Sequence, residues 1–446
     1  MLTLKDLRGT APDVASVLPR PEQNIATTTE TVAPILEHVR TGGAEALLDL
    51  SEQFDGVRPP SLRVPQSALD SALTELDPAI RSALDELIIR AREVHTAQLP
   101  ESSEVRLGAG AVVVNRWSPI RRVGLYVPGG QAVYPSSVVM NVVPAQVAGV
   151  ESLAIASPPQ PDFGGYPHPT VLAAARLLGV EEVYAVGGAQ AVGMFAFGAR
   201  DAEGLRAVDP VDLITGPGNI FVATAKRAVQ GVVGIDAEAG PTEIMVLADS
   251  TADASVVAAD LISQAEHDEL AAAVLVTDSM TLAEDVLEHV ADQAAQTRHA
   301  ERVKASLSGA QSAVLVVDSL EQAAEIAEAY GAEHLEIMTA EDQVWADRIG
   351  NAGAIFLGTF SPVSLGDYCA GSNHVLPTGG ASAYSSGLNV TSFLRSQQVI
   401  RYDRAGLEQV SGHVAALSEA EGLPAHGDAV TRRFEGIRRG EPGVRA

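Results

Sequence analysis

The chain has 446 residues, of which 30 are Lys or Arg and 57 are Asp or Glu, so its formal net charge is −27. The few basic pairs in this acidic chain do not form the clustered basic surface that binding to DNA or RNA requires, which excludes a nucleic-acid partner. With 46% hydrophobic and 20% charged residues, the chain can fill folded cores, and its length suggests about two to four domains.

The amino-terminal segment and the apolar runs predict a protein with neither an export signal nor a membrane span. Residues 1–8 alternate charged and apolar side chains, whereas a signal peptide needs an apolar stretch of about 7–15 residues. The apolar run at 271–276 is far shorter than the roughly 20 residues that cross a bilayer. Cys369 is the single cysteine, so no intrachain disulfide is expected. We therefore expect a cytoplasmic protein.

The elements predicted from the amino terminus onward are first helices and then alternating strands and helices. Apolar side chains recur at helical spacing between Thr27 and Gln98. Short β-branched runs then alternate with helical patterns. The strands are predicted at 123–127, 153–156, 183–186 and 211–215, and the helices at 170–178 and 189–199. This alternation is typical of a parallel α/β sheet.

A second α/β series follows residue 242. Three apolar strands end in Asp-Ser dipeptides at 249–250, 278–279 and 318–319, and a helical pattern follows each. Ser319 and Thr281 begin segments with the spacing of a capping box, which predicts helix starts there. After about residue 382, a strand at 393–402 and helices at 407–419 and 426–438 are predicted to form a tail.

Three glycine turns follow strands of the first series, at 128–130, 187–190 and 216–219. Ligands of open α/β sheets bind beyond the carboxyl ends of strands, where glycine lets backbone amides approach a phosphate. One interpretation is therefore a nucleotide crevice. The other is a set of ordinary turns, because none of the three has the G-x-G-x-x-G pattern.

Two polar pairs are candidates for chemistry. Gln264 and His267 are three residues apart, which places them on one helix face where they could bind one ion. A solvated helix end is the alternative, because glutamine is an uncommon metal ligand. Glu333 and His334 are adjacent and could flank one substrate, or could simply lie at the surface.

The segment 366–377 is the densest in reactive groups, with Asp367, Cys369 and His374 between glycines. Loops this polar usually serve a site. Cys369 could be a nucleophile toward an aldehyde, or a small apolar filler. In the tail, Glu421 and His426 lie around the start of the last predicted helix.

Together these segments resemble the histidinol dehydrogenase family over nearly the whole chain. The resemblance rests on nine segments in family order: Gly124-Leu-Tyr126-Val-Pro-Gly-Gly130, Val186-Gly-Gly-Ala-Gln190, Gly216-Pro-Gly-Asn219, Ala239-Gly-Pro-Thr242-Glu243, Ser263-Gln-Ala-Glu-His267, Glu333-His-Leu335, Gly366-Asp-Tyr368, Ser372-Asn-His-Val-Leu-Pro377 and Glu421-Gly-Leu-Pro-Ala-His426. The chain departs from the family pattern at Cys369, where another small residue is expected, and at Thr242, where serine is common.

The resemblance implies a zinc-dependent, NAD-linked enzyme that oxidises L-histidinol through L-histidinal to L-histidine, the last steps of histidine biosynthesis. It implies one zinc ion per subunit, with the ligands Gln264, His267, Asp367 and His426. Two imidazoles and two oxygen donors suit zinc.

Further residue roles are implied by the same resemblance. His334 would be the general base for the alcohol, and Glu333 would activate water on the aldehyde. The residues implied to contact substrate are Thr242, Gln264, His267, Glu333, His334, Asp367, Glu421 and His426. Those implied to contact the cofactor are Tyr126, Gln190 and Asn219. The family also implies a homodimer with exchanged tails.

The expected fold is α/β, with two incomplete Rossmann-like modules of parallel sheet, a helical amino-terminal region and a small carboxy-terminal tail domain. We expect an arm at 1–25, a catalytic and metal-binding α/β domain of residues 26–122 plus 243–381, an NAD-binding domain at 123–242, and a tail at 382–446.

Two other functions are compatible with the residues. One is a metal-free aldehyde dehydrogenase that uses Cys369, and the other is a non-catalytic zinc- or nucleotide-binding protein that has kept the fold. Substitution of Cys369 would separate the first from the zinc enzyme, and a turnover assay would separate the second.

Overall fold

The computed structural model describes residues 1–21, 25–129, 133–237 and 240–435. The chain forms two compact units: residues 1–99 with 120–393, and residues 100–119 with the chain from 394 onward. Gly130 and Ala239, each part of a family motif, lie outside the described residues. Within the described ranges, every helix is too short or too polar to cross a bilayer.

The helices of the described residues are, in chain order, α1 (Val14–Val17), α2 (Ile25–Asp55), α3 (Gln66–Thr74), α4 (Pro78–Ala97), α5 (Pro135–Val147), α6 (Pro169–Leu177), α7 (Gly188–Phe197), α8 (Ile220–Val229), α9 (Ala254–Ala265), α10 (Met280–Ala294), α11 (Ala300–Ser308), α12 (Leu320–Tyr330), α13 (Asp342–Ala346), α14 (Val363–Asp367), α15 (Arg404–Ala420) and α16 (Pro424–Glu435). Helix α2 has a kink at Gly43, whose backbone is not helical.

The strands are, in chain order, β1 (Thr3–Asp6), β2 (Ser103–Gly108), β3 (Ala111–Pro119), β4 (Arg122–Tyr126), β5 (Ser152–Ser157), β6 (Val183–Ala185), β7 (Ala199–Arg200), β8 (Arg206–Val208), β9 (Leu213–Thr215), β10 (Gly234–Ile235), β11 (Glu243–Ala248), β12 (Ala272–Thr277), β13 (Ala313–Val316), β14 (His334–Met338), β15 (Ala354–Leu357) and β16 (Leu394–Tyr402).

A six-stranded parallel sheet has the strand order β1-β13-β12-β11-β14-β15. Side chains alternate across such a sheet. Ile244 and Val246 of β11 therefore join the apolar cluster that contains Leu261 of α9, whereas Met245 and Leu247 join the cluster on the opposite face. Helices thus cover both faces of this sheet, as parallel sheets require.

A five-stranded parallel sheet has the order β10-β9-β4-β5-β6. Helices α7 and α8 follow its strands β6 and β9, and the amino-terminal helix α2 shares its apolar cluster. Val32, Leu36 and Val39 of α2 are buried in this cluster with Tyr126 and Phe195. The kinked helix α2 is therefore part of the core of the first parallel module.

The second unit contains a three-stranded antiparallel sheet with the order β16-β3-β2, in which Leu394 pairs with Pro119 and Tyr402 with Ala111. Helices α15 and α16 follow β16. The Asp403 carboxylate accepts a hydrogen bond of 2.8 Å from the Gly406 N–H and so caps α15. The predicted tail strand and both tail helices are present here, while the end of the last predicted helix, at 436–438, lies outside the described residues.

Both predicted helices are present, but only one of the two capping-box residues is the cap. The Ser319 hydroxyl accepts a hydrogen bond from the Gln322 N–H at the start of α12. At α10 the capping residue is Ser279, which accepts a bond from the Leu282 N–H, so Thr281 is not the cap. Ser279 and Thr281 both carry a hydroxyl that could cap a helix, and the position at which β12 ends decides that Ser279 is the cap.

The predicted fold class is confirmed: the chain is an α/β protein with two parallel-sheet modules, helices near the amino terminus and a small carboxy-terminal region. The exact domain boundaries stay a prediction.

Candidate active site

Two neighbouring strands of the six-stranded sheet begin at the same polar cluster. Thr242 immediately precedes β11, and Glu333 immediately precedes β14. The two strands are parallel, and Ile244 pairs with His334, the first residue of β14. These residues therefore lie at the amino edge of the sheet.

The Glu333 carboxyl group is buried, with an exposed fraction of 7%. Its Oε2 accepts hydrogen bonds from the Thr242 hydroxyl at 2.5 Å and from the Glu243 N–H at 3.0 Å. Burial raises the pKa of Glu333 to about 8, while these two donors act in the opposite direction. An ionised Glu333 is consequently a stronger base than an ordinary carboxylate.

The His334 imidazole is also buried, with an exposed fraction of 4%. Its Nδ1 lies 3.1 Å from the Glu243 carbonyl oxygen. Because a carbonyl only accepts, we assign the proton of the neutral ring to Nδ1, which leaves Nε2 as a proton acceptor. Burial lowers the pKa of His334, so the ring is neutral at neutral pH.

Gln264 is near the end of α9 and extends this cluster. Its Nε2 donates to the Thr242 hydroxyl, which in turn donates to Glu333. The Gln264 Oε1 is buried without a hydrogen-bond partner among the described residues. A buried polar atom without a partner requires an explanation, and a role as a ligand is one.

His267 and Asp367 approach each other beside this cluster. His267 lies just beyond α9 and Asp367 ends α14, and the His267 Nε2 is 3.9 Å from the Asp367 Oδ2. Among the described residues, no three His, Cys, Asp or Glu side chains come close enough to form a metal-binding group. Together with the unbonded oxygen of Gln264, however, this pair offers one nitrogen and two oxygen donors, which fit zinc.

Glu421 and His426 belong to the second unit. Glu421 follows the last residue of α15, and His426 lies in the first turn of α16. Both side chains are exposed. The structure therefore places these two residues in the second unit and brings the other six predicted site residues together in the first. Those six are Thr242, Gln264, His267, Glu333, His334 and Asp367. The roles of all eight stay predictions.

The predicted cofactor-contact residues lie at the carboxyl edge of the five-stranded sheet. Tyr126 ends β4, and its hydroxyl accepts a 3.1 Å hydrogen bond from the Gly188 N–H. Gln190 is buried on α7, and its Nε2 has no hydrogen-bond partner among the described residues. Asn219 caps α8 by accepting hydrogen bonds from the N–H groups of Phe221 and Val222.

His374 is a site residue whose role the sequence analysis missed. Its Nδ1 lies 3.1 Å from the Asp367 carbonyl oxygen, and its Nε2 lies 3.1 Å from the Ser137 hydroxyl. Burial lowers the pKa of His374 to about 4, so the ring is neutral. It thus ties the backbone that carries Asp367 to α5. The motif 372–377 marked this histidine, but no sequence signal identified its two partners.

Cys369 is partly exposed and is not in a disulfide. It lies two residues after Asp367, in the turn that follows α14.

Comparisons with known proteins agree on one family. The sequence profile of histidinol dehydrogenase matches residues 18–434. Histidinol dehydrogenase from Thermobifida fusca (strain YX) is 59% identical over 429 residues, covering 96% of this chain and 97% of the relative. The enzyme of that name from Nocardia farcinica (strain IFM 10152) is 58% identical over 435 residues, covering 97% and 98%.

A solved structure agrees with the sequence comparisons. The crystal structure of histidinol dehydrogenase from Elizabethkingia anophelis matches with a TM-score of 0.91 and 30% identity, and covers 97% of this chain and 98% of its own. The profile, the close relatives and the solved structure each span nearly the full length. The chain therefore belongs to the histidinol dehydrogenase family.

Proposed function

We propose that this chain oxidises L-histidinol through L-histidinal to L-histidine, with NAD as the hydride acceptor and zinc as the bound metal. Family membership supports the substrate and the reaction class. The observation that carries the proposal is the buried pair Glu333 and His334, whose surroundings favour an imidazole that is neutral and a carboxyl group that is strongly basic when ionised.

In the first oxidation, His334 removes the proton of the substrate hydroxyl at its Nε2. The hydride that leaves the same carbon would pass to bound NAD, which would give the aldehyde and NADH. The hydrogen bond between Nδ1 and the Glu243 carbonyl fixes the ring orientation, and the depressed pKa keeps Nε2 unprotonated. A positioned base of this kind contributes about 10²–10⁴-fold to the rate.

In the second oxidation, Glu333 removes a proton from the water that adds to the aldehyde. The hydrate anion formed in this way would give up its hydride to a second bound NAD, and the resulting carboxylic acid would release its remaining proton to give the carboxylate of histidine. Thr242 and Glu243 hold the Glu333 carboxylate through one shared oxygen. The two oxidations therefore use adjacent residues of one site.

The residues that would hold zinc are Gln264, His267, Asp367 and His426, with His426 supplied by the exchanged tail of the partner subunit. When bound, zinc supplies a positive charge that orients the substrate's imidazole and amino groups. The unbonded Gln264 oxygen and the pairing of His267 with Asp367 support this assignment.

Tyr126, Gln190 and Asn219 would contact NAD at the carboxyl edge of the five-stranded sheet. The support is their position at the glycine turns and the unbonded Gln190 Nε2. We also propose that the enzyme is a cytoplasmic homodimer whose tails are exchanged, as the family resemblance implies.

The experiment that tests the proposal is NADH formation by the zinc-loaded protein with L-histidinol, followed to completion. Two NADH per histidinol, with histidine as product, are expected. One NADH would show that the aldehyde step fails. No NADH from protein with bound zinc would contradict the proposal and favour a non-catalytic binding protein.

Substitution of Cys369 separates the proposal from a metal-free aldehyde dehydrogenase. Cys369→Ala should oxidise histidinal at the parent rate, because no step uses the thiol. Loss of histidinal oxidation in this variant, with zinc still bound, would instead identify a thiol nucleophile.

A further inference from the structure

Two carboxyl groups outside the reacting cluster lie buried against each other. Asp260 is on α9 with an exposed fraction of 7%, and Glu336 is on β14 with 1%. The Asp260 Oδ2 and the Glu336 Oε2 are both buried without a hydrogen-bond partner among the described residues. The two side chains lie close enough for each carboxyl group to shift the pKa of the other. Because carboxylate oxygens only accept, two such groups can satisfy each other only when one of them carries a proton.

The surroundings place that proton on Glu336. Burial and the neighbouring Asp260 carboxyl raise the pKa of Glu336 far above its usual value. Burial also raises the pKa of Asp260, while the hydrogen bond from Glu336 acts in the opposite direction. Two like charges in one apolar site cannot both ionise at low cost, so the pair holds one proton at neutral pH.

A third element joins the pair. The Glu336 Oε1 accepts a hydrogen bond of 2.7 Å from the Val363 N–H, the first residue of α14. Side chains from the same elements, among them Leu261 and Val363, pack in the apolar cluster on this face of the sheet. The pair is therefore a polar junction of α9, β14 and α14 inside an apolar layer.

Each of these three elements carries a candidate site residue a short distance from the junction. Gln264 is one helical turn beyond Asp260 on α9, and His334 is two residues before Glu336 on the same face of β14. Asp367 is the last residue of α14, which begins at Val363. A shift at the junction would consequently move all three groups.

We propose that Asp260 and Glu336 share one proton and act as positioning residues that hold Gln264, His334 and Asp367 in place for metal and substrate. The inference rests on the proposed function for its metal and substrate. The shared proton itself depends only on the buried contact. Neither residue touches the reacting atoms.

Two substitutions of Glu336 separate the hydrogen bonds from the volume of the side chain. Glu336→Gln keeps a donor for Asp260 and an acceptor for the Val363 N–H, so it reproduces the protonated glutamic acid. Glu336→Met has a similar length but removes both hydrogen bonds. Ile337→Ala is the matched control, because Ile337 is the next residue of β14 and is fully buried on the opposite face.

The first readout is zinc affinity measured by competition with a chelator, together with kcat and KM for L-histidinol. Glu336→Met should weaken zinc binding by about 10–100-fold, the usual cost of losing a partner that orients metal ligands. Glu336→Gln should keep the parent affinity. Ile337→Ala should lower the unfolding temperature yet keep the parent affinity, which shows that lost stability alone does not weaken the site.

The second readout is infrared spectroscopy at neutral pH. The difference spectrum of parent minus Glu336→Gln should contain the carbonyl band of one protonated carboxyl group. Glu333→Gln serves as the comparison, because any band that it removes belongs to a different group.

The outcomes distinguish failure of the inference from failure of the proposed function. Parent-like zinc affinity in a folded Glu336→Met variant would overturn the positioning role, and absence of the infrared band would overturn the shared proton. Equal losses of affinity in Glu336→Met and Ile337→Ala would also overturn positioning, because general destabilisation would explain both. A parent that binds no zinc would contradict the proposed metal, and the infrared result would still decide whether the proton is shared.

Discussion

The hydrogen bond from His334 to the Glu243 carbonyl leaves a single ring nitrogen for proton transfer. His334→Asn removes the proposed base, so kcat for histidinol should fall by about 100-fold or more. Steady-state kinetics with zinc-loaded protein would measure this loss. His289→Asn is the control, because His289 is exposed on α10. An unchanged kcat in His334→Asn would exclude this residue as the base.

Glu333 should matter most for the aldehyde. Glu333→Gln keeps an acceptor for the Thr242 hydroxyl and the Glu243 N–H, so the loop geometry should survive. The amide cannot take a proton from water, and histidinal oxidation should slow by about 100-fold. Single-turnover measurements with histidinol and with histidinal compare the two halves. Equal turnover of histidinal by parent and variant would contradict this role.

The motifs that contain these residues are visible in the sequence, whereas most of their contacts are not. Glu333 and His334 were recognisable because they form a motif together. The relay from Gln264 through Thr242 to Glu333 depends on the pairing of β11 with β14 across many intervening residues. Long-range contacts of this kind leave no periodic signal in a single sequence.

At the scale of elements, the turn after β9 approaches β4 so closely that only glycine fits. Gly216 has φ 114°, and a Cβ there would lie 2.0 Å from the Tyr126 carbonyl oxygen. Gly216→Ala should therefore displace Tyr126 and weaken NAD binding by about tenfold or more, since such steric strain costs more than about 1 kcal/mol. Fluorescence titration with NADH would measure the affinity.

Gly231→Ala is the matched control for that substitution. Gly231 also has a positive φ, of 97°, but no atom lies within 4 Å of the added Cβ. This variant should bear the backbone strain without the clash and should keep the parent affinity for NADH. An equal loss of NADH affinity in both variants would show that backbone strain, and not the clash with β4, causes the effect.

Asp55 at the end of α2 should make the stability of the first parallel module depend on pH. Its Oδ2 is buried without a hydrogen-bond partner among the described residues. Burial raises the pKa of Asp55 from 3.8 to about 6. Protonated Asp55 is buried at little cost, so the folded state has its full stability below the ordinary pKa of 3.8. This stability is lost as the pH rises through about 6, because the buried carboxyl group must then ionise.

Asp55→Asn should therefore be more stable than the parent at about pH 8 by about 1 kcal/mol, after allowance for solvent screening. The difference should shrink at about pH 5.5. Urea unfolding at both pH values and one protein concentration would measure it. Glu30→Gln on the exposed face of the same helix is the control. A difference that does not change with pH would contradict the assignment to Asp55.

Strands and helices with regular patterns could be predicted, but their neighbours were harder to infer. Helix α2 was expected from the spacing of Val32 and Leu36, yet its packing against Phe195 of α7 is set by tertiary structure. The rule that ligands bind at the carboxyl ends of parallel strands suits the turns near Tyr126. It does not locate Glu333 and His334, which lie at the amino edge of the other sheet.

At the scale of the whole molecule, the eight residues implied to contact substrate divide between two units. Six lie in the first unit, whereas Glu421 and His426 lie in the second. The proposed homodimer with exchanged tails would supply His426 to the site of the partner subunit. Domain exchange of this kind predicts that two different inactive subunits restore each other's function.

Mixed dimers of His334→Asn and His426→Asn subunits test this exchange directly. Each variant alone should be nearly inactive. In a mixed dimer with exchanged tails, one site combines the intact His334 of one subunit with the intact His426 of the other, while the second site has lost both. Because a random mixture contains about half mixed dimers, each with one complete site, about a quarter of the parent activity should return. If each tail instead served its own subunit, every site would lack one histidine, and the mixture would be no more active than either variant alone.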